Sequence, residues 1–595
     1  MRKKSKKSGR SRFSRKSITT VYHESADKVG KHFSDNFISR IKNIHEVRLW
    51  VIEWILLVLA VFLFSIVQII WYSDSYKTEA FINGGDFSEA VLGDVNSMNP
   101  LYAATNSEKT LGRLMFANLV SPDASGHSKA ELAKSVKMDD SGQVWTVTLR
   151  DNIFWSDGEP ISADDIIYTT DLIRNPAAKT TISADFSSVS TKKIDDKTVE
   201  YKLPSTYIDF MDTLEFPLVP YHILKDVSPA LVYEHDFSTN PVVSGPFKLN
   251  AVQLSGSTSS NTKTIYLSRN IKYFLSDTKL DTFTLKVYKD QNAIIEALNS
   301  SDVTATAELG EEAKDKLFKN ISSRESLLNG GAFAFINTKS DNLKNQNIRK
   351  AIRYGVNMDK VREGIDDSRK LDYPILSNQE ELDYPAIETQ TEDVVKELVS
   401  KAGYQYNDAG KIVDKDNVPV VLNAAVLKKD LLTRTAEKFT EELKRLGFEV
   451  TLNIYDETQT TADFFSAIIR PRDYDILFYE LDLGVSADPF VYYSSTQATT
   501  GGWNFSNYTN GLVDDALLSA HTTTNLAIRK AKYENFLKHW LNDVPAIGLY
   551  RSSLEYYYSE GVNIYSENRH LTDAFDRFGD VRYWATRKTM ANITP

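Results

Sequence analysis

The densest group of side chains able to do chemistry lies in residues 149–166, which read LRDNIFWSDGEPISADDI. Asp157, Glu159, Asp164 and Asp165 crowd four carboxylates into this stretch. Clustered carboxylates can serve as a general acid–base pair or bind calcium. The local pattern explains them better as backbone devices. Ser156-Asp157-Gly158 reads as a tight turn in which glycine takes a positive φ. Ser162 is an N-cap, and Asp165, three residues on, places its charge against the helix dipole. The unit is strand, turn and capped helix.

Other catalytic patterns were sought along the chain. It contains no G-x-S-x-G elbow, phosphate loop, G-x-G-x-x-G fingerprint or H-E-x-x-H motif. Its nine histidines are scattered with no i,i+4 pair, which argues against a zinc site. With no cysteine, disulfides, thiolate metal sites and cysteine nucleophiles are excluded. Residues 408–416 (DAGKIVDKD) look like a calcium loop but lack its alternating oxygen ligands and terminal glutamate. The expectation is a binder rather than an enzyme, with no catalytic residue, no metal and no cofactor.

The elements that would position such groups alternate in type. The patterns predict strands at 144–149, 198–203, 264–267, 282–288, 332–337 and 475–478. They predict helices at 163–172, 291–298, 346–354, 391–402, 434–446 and 527–541. Interleaving of this kind indicates an α/β architecture. Ala436, Phe439, Leu443 and Leu446 form one face of the 434–446 helix, and Gly447 stands at its C-cap. Residues 255–261 (SGSTSSN) read as a polar loop. A chain of 595 residues is too large for one core, so at least two lobes are expected.

The net charge of −10 conceals an asymmetry. Residues 1–48 hold about fourteen Lys/Arg against about four Asp/Glu, which leaves the remainder strongly acidic. Such a basic block could bind nucleic acid. Its position assigns it elsewhere, because residues 51–72 follow as VIEWILLVLAVFLFSIVQIIWY. About twenty apolar residues suffice to span a bilayer. Glu53 and Gln68 lie near the ends, and Trp50, Trp54, Trp71 and Tyr72 mark both interfaces. The positive-inside rule keeps the N-terminus in the cytoplasm and puts the C-terminal part outside. The span lacks a small-x-small cleavage site, so it reads as an uncleaved anchor. Before it, Val29, Phe33, Phe37, Ile41 and Ile44 recur at helical spacing, as in a helix lying on the inner leaflet, an extension of the anchor, or a free tail.

The 149–166 stretch resembles the signature of the family 5 extracellular solute-binding proteins, the oligopeptide- and dipeptide-binding components of ABC transporters. Further segments match in order: Asn99-Pro100-Leu101 with 114–120 (LMFANLV), Ser244-Gly245-Pro246-Phe247-Lys248-Leu249, Phe335-Ile336-Asn337 followed by 348–352 (IRKAI), and Ala402-Gly403-Tyr404. The set closes with 502–508 (GWNFSNY), Val513-Asp514, Arg529 and 543–550 (DVPAIGLY). Together they run from about residue 83 to the C-terminus.

The resemblance implies an α/β, two-lobed periplasmic-binding-protein-like fold with an extra subdomain, preceded by one transmembrane helix. It divides the chain into a basic cytoplasmic tail at 1–48, the transmembrane helix at 49–72, a tether at 73–82 and a solute-binding domain at 83–595. Lobe one would comprise about 83–332 and 546–595, including a subdomain at 122–240, and lobe two about 333–545. The chain would cross between lobes near 332–337 and 545–551, and ligand would be buried as the lobes close. By the same resemblance, Tyr102, Ala104 and Asn106 line one side of the cleft. Tyr479, Glu480, Leu481 and Asp482 line the other, with Trp503 and Asn504 nearby. Relatives that hold a free peptide amine usually have an aspartate near position 484 or 485. Gly484 and Val485 stand there, so Glu480 and Asp482 are the nearest carboxylates.

The implied function is a membrane-anchored extracellular protein that captures oligopeptides for an ABC permease and ATPase. Its exterior domain would be monomeric, and no nucleic acid is involved. The same fold could instead hold another solute, such as an oligosaccharide. A tethered sensor or adhesion module is the reading from a different class.

Overall fold

The computed structural model describes residue 31 and residues 44–75, 77–182, 186, 188–255, 262–275, 278–388, 390–456 and 463–592. The segment proposed to lie on the inner leaflet falls almost wholly outside these residues, as does most of the 255–261 loop. The chain forms two units, one of residues 1–80 with 588–595 and one of residues 81–587.

The first unit is dominated by the helix Ile44–Ser75. Within its apolar stretch, Arg48–Tyr72, an 18-residue window reaches a mean hydropathy of 2.6, and none of that window is buried in the protein. The 25 residues of the stretch, at ~1.5 Å per residue, reach ~37 Å, enough for a hydrocarbon core of ~30 Å. The strand Lys77–Ile82 follows and pairs with Arg587–Asn592. Lys588 and Glu79 add an ion pair at 2.8 Å.

The second unit is organised by a ten-stranded sheet. In chain order its strands are β1 (Asp86–Leu92), β2 (Phe247–Ser255), β3 (Thr262–Arg269), β4 (Thr282–Tyr288), β5 (Ala305–Thr306), β6 (Ile321–Ile336), β7 (Val421–Leu427), β8 (Glu449–Tyr455), β9 (Ile476–Asp482) and β10 (Ala546–Ser559). Across the sheet they run β8-β7-β9-β6-β10-β5-β1-β4-β3-β2. The central strands β6 and β10 are 16 and 14 residues long. Both run through the two half-sheets. Their antiparallel pairing is interrupted between Leu327 and Gly331, so the register breaks where the half-sheets meet.

Each half has its own apolar core. The first half, β5-β1-β4-β3-β2, buries Phe87, Phe283, Leu285, Tyr556 and Trp584 in one cluster. That cluster continues under a four-stranded sheet of Ala133–Met138, Val144–Leu149, Thr198–Lys202 and Ser190–Asp195. The alternating burial along Val144–Leu149 turns Trp145, Val147 and Leu149 inward, as period-two geometry requires. The second half, β9-β7-β8, is covered on both faces. Ala332, Ala334 and Ile336 of β6 face one cluster, while Phe333 and Phe335 face another. Parallel pairing of β7 with β8 and β9, with the helix Asp430–Arg445 between β7 and β8, produces this double burial.

The expected local devices form as read. Ser162 and Asp165 make a reciprocal capping box on the helix Ala163–Arg174, and Gly158 turns at φ +105°. Gly447 (φ +104°) ends the Asp430–Arg445 helix by donating to the Lys444 carbonyl at 3.0 Å. The strand anticipated at 332–337 is the tail of the much longer β6. The interruption between halves lies a few residues earlier, at 327–331 on β6 and 551–553 on β10.

Candidate functional site

At the break in the central ladder, Asn329 is almost fully buried and joins three segments. Its Nδ2 donates to the Gly484 carbonyl at 3.0 Å. Its Oδ1 accepts from Asn378 Nδ2 at 2.9 Å and lies 2.8 Å from His570 Nε2. Its backbone donates to Thr572 and accepts from Leu483. The end of β9 and the 570–576 segment are thereby held on either side of the junction.

Asp482, the last residue of β9, pairs in register with Gly330 and stands at this junction. Its Oδ1 accepts from the Gly484 amide at 2.9 Å, and Tyr492 donates its hydroxyl to the Asp482 carbonyl. The carboxylate is open to water yet surrounded by protein. Desolvation raises its pKa, the charge of Asp576 adds to the rise, and Lys109 opposes it.

The opposite wall comes from the first half. The helix Asn106–Met115 carries Lys109 and Arg113 one turn apart on one face. Arg113 pairs with Asp576 at 2.8 Å and lies 3.9 Å from Glu215. Asp573 caps the 574–583 turn through the amides of Phe575 (2.7 Å) and Asp576 (2.9 Å). Burial, then Asp576, pushes the Asp573 carboxyl up to about 7, and Asp482 contributes to that shift. Glu215 is raised well above the usual carboxylate range, by burial first and then by Asp576. The wall is thus rich in carboxylates that are short of water and of counter-charge. A cationic ligand group entering here would relieve that deficit.

Glu480, one turn of the pleat earlier, is already engaged. Lys429 meets its Oε2 at 2.8 Å and Tyr550 donates to its Oε1 at 2.9 Å. Leu481 is buried and Tyr479 packs its ring between Phe464 and Phe505, so both serve the second-half core. Asn504 is fully buried. Its amide donates to the Ser494 and Tyr508 carbonyls and accepts from the Tyr508 amide, so its polar atoms are committed within the second half. Trp503 is half-exposed, with Phe465 and Phe505 of the same half as ring neighbours.

Tyr102 is buried edge-on against Tyr233 at 5.2 Å, and burial raises its pKa. Ala104 and Asn106 are exposed beside the N-cap of the Asn106–Met115 helix, and Asn106 reaches Glu308 at 3.4 Å. The anticipated loop therefore sits one turn ahead of the charges that reach the wall. Lys109, Arg113, Glu215, Asp573, Asp576 and Tyr492 were not anticipated. Asp573-x-x-Asp576 repeats the capping-box spacing of Ser162-x-x-Asp165 and was readable as a cap. Lys109 and Arg113 are an i,i+4 pair. Glu215 carried no signal, because burial alone makes it unusual. Among the described residues no group of three or more His, Asp or Glu is placed to hold a metal ion.

Comparison with known proteins agrees with this architecture. The sequence model of the bacterial extracellular solute-binding proteins, family 5 Middle, matches residues 128–504. The oligopeptide-binding protein AppA of Bacillus subtilis is 24% identical over 488 residues, covering 78% of this chain and 86% of its own. OppA of the same organism is 21% identical over 486 residues, covering 76% and 85%. Among solved structures, Bacillus subtilis AppA in complex with a nonapeptide superposes with a TM-score of 0.68 at 22% identity, covering 85% of this chain and all of that one. NikZ of Campylobacter jejuni in complex with Ni(L-His) gives 0.67 at 21%, covering 84% and 99%. The long match and the two half-sheets joined by shared strands lead to one assignment: the chain belongs to the family 5 bacterial extracellular solute-binding proteins.

Proposed function

We propose that this protein captures oligopeptides on the outer side of a membrane and delivers them to an ABC permease and its ATPase. The observation that carries the reading is Asp482, a solvent-accessible carboxylate beside the break in the β6–β10 ladder with no cation paired to it at ion-pair distance among the described residues. A peptide α-amine is the partner that such a group needs. Glu480, satisfied by Lys429 and Tyr550, is the weaker candidate. Relatives named as oligopeptide-binding support the choice of solute.

The two lobes of the mechanism are residues 83–332 with 546–595, including the 122–240 subdomain, and residues 333–545. The separate apolar clusters support two lobes, but with Ala332 and residues 546–550 packed in the second. The Arg48–Tyr72 helix anchors the chain, with the basic N-terminal tail in the cytoplasm and the binding domain outside.

Calorimetry tests the solute and the anchor together. A peptide with a free N-terminus should bind, and Asp482→Asn should weaken it at least tenfold while weakening the N-acetylated peptide much less. Glu480→Gln should not discriminate between the two. Equal loss for free and acetylated peptide on Asp482→Asn would remove the amine contact. Absence of peptide among small molecules released from the purified protein would shift the assignment to another solute.

A further inference from the structure

A second cavity, of about 440 Å³, lies wholly within the first half of the domain. The 120–130 hairpin, residues 273–275 and the 569–583 segment enclose it. Five cationic side chains line it: Arg113, Lys129, Arg150, Arg569 and Arg582 with the hydroxyl-bearing Tyr273 between them. Among the described residues only Arg113 has carboxylate partners, Asp576 at 2.8 Å and Glu215 at 3.9 Å. Arg150 is held by the carbonyls of Glu131 and Ala130 and stacks over Phe274 at 5.6 Å. Arg569 is held by the carbonyls of Asp576 and Pro122 at 2.9 and 3.2 Å. Arg582 meets only the hydroxyl and ring of Tyr583. Among the described residues none of these three, nor Lys129, lies within ion-pair distance of a carboxylate.

The cavity also has three carboxylates, each accepting two hydrogen bonds, on one oxygen only for Asp123 and Glu131. Asp123 accepts from the amides of Ser125 and His127. Asp580 accepts from the Ser566 amide and the Trp584 indole. Glu131 accepts from Ser121 and the Asn118 amide, and burial raises its pKa toward the neutral form. Tyr273 stands among charges of both signs. Burial and Glu131 raise its phenol, while Arg582, Arg113 and Arg150 pull the other way.

Guanidinium groups bound only to carbonyls and rings keep N–H donors in a planar fork, the geometry that pairs with carboxylate or phosphate. Phe274 and Phe578 provide apolar walls for a carbon skeleton. We infer that this cavity, which shares only Arg113 with the wall facing Asp482, is a second binding site for a small organic polyanion bearing two or more carboxylate or phosphate groups. Its chemistry is opposite to that of the acid-rich wall around Asp482, so the two sites do not compete for one class of ligand.

The test uses the full-length chain in neutral detergent at low ionic strength, with citrate and inorganic pyrophosphate as probes in calorimetry. One equivalent of at least one probe should bind. The double variant Lys129→Gln/Arg582→Gln should weaken it at least tenfold with an unchanged melting temperature, since neither side chain holds the fold together. Ala124→Trp, an exposed rim position, should block entry by bulk alone. Asp482→Asn should leave probe binding unchanged, which keeps this result independent of the peptide reading. No binding of either probe, undiminished binding by the double variant, or loss of binding in Asp482→Asn would each overturn the inference.

Discussion

Arg529, on the helix Leu526–Asp543, grips Asp209 on the first half with two parallel bonds of 2.9 Å each. Both side chains are largely shielded from water, and Arg529 also donates to the Ala487 carbonyl at 3.2 Å. Beside them Tyr207 stacks on His521 at 4.3 Å, and His521 meets Asp488 at 3.0 Å. The Arg529–Asp209 fork and the Tyr207–His521 stack join the halves at a distance from the central strands. Truncating one partner of a shielded fork leaves the other charge desolvated, typically at a cost of about 2–5 kcal/mol. Arg529→Ala should therefore open the domain. Small-angle scattering should give a larger radius of gyration, and peptide affinity should fall by at least tenfold. An unchanged radius would show that closure does not depend on this latch.

Stability should depend on pH through Asp573. Its native pKa, about 7, lies above the ordinary ~3.9 of an aspartate. A raised value means that the native state holds the proton more tightly than the unfolded chain. That contribution is complete below ~3.9 and is lost as pH rises through about 7. Asp209, pushed up to about 6 mainly by burial, acts in the same direction. The ligand-free protein should melt at a lower temperature at pH 8 than at pH 5.5. Asp573→Asn keeps the capping oxygen and should flatten the profile. A profile that stays equally steep in this variant would locate the titration elsewhere.

The first-half core encloses an ion pair. Glu89 and Arg577 are fully buried and meet at 2.6 Å, and Tyr556 donates to the other Glu89 oxygen at 2.8 Å. Removing one charge from a buried pair costs about 3–5 kcal/mol, whereas replacing both by apolar groups is often neutral. Glu89→Gln should lower the urea midpoint sharply. Glu89→Leu/Arg577→Met should recover most of the loss. If the double variant is no better than the single one, the pair contributes more than mutual neutralisation.

The membrane assignment is tested on cells. Protease added to intact cells should degrade the binding domain and leave a short N-terminal fragment protected. A soluble form in the medium, cut near Tyr72, would mean that the span is removed after export.

Much of the fold was legible because its elements carry local signals. Gly158, Ser162 and Gly447 each mark a turn or helix end through backbone preference, and each stands where expected. The full lengths of β6 and β10 were not legible. Residues 321–328 (ISSRESLL) and 551–559 (RSSLEYYYS) are polar-rich stretches whose strand character comes from each other, through non-local pairing. The site was legible only in part for a similar reason. Asp482 and Glu480 share the family's segment, and what distinguishes them is that Lys429 and Tyr550 reach Glu480 and not Asp482. Glu215 and Asp573 owe their character to burial beside Asp576, which no spacing encodes.

The shared strands also have a mechanical consequence. On one side of the junction residues 321–327 pair with 553–559, and on the other 331–335 pair with 546–551. A pull that separates the halves along the strand direction puts two covalent backbones under tension side by side. Bending at the short unpaired stretch between the two ladders loads almost none of their hydrogen bonds. The joint is therefore compliant to swinging and stiff to stretching.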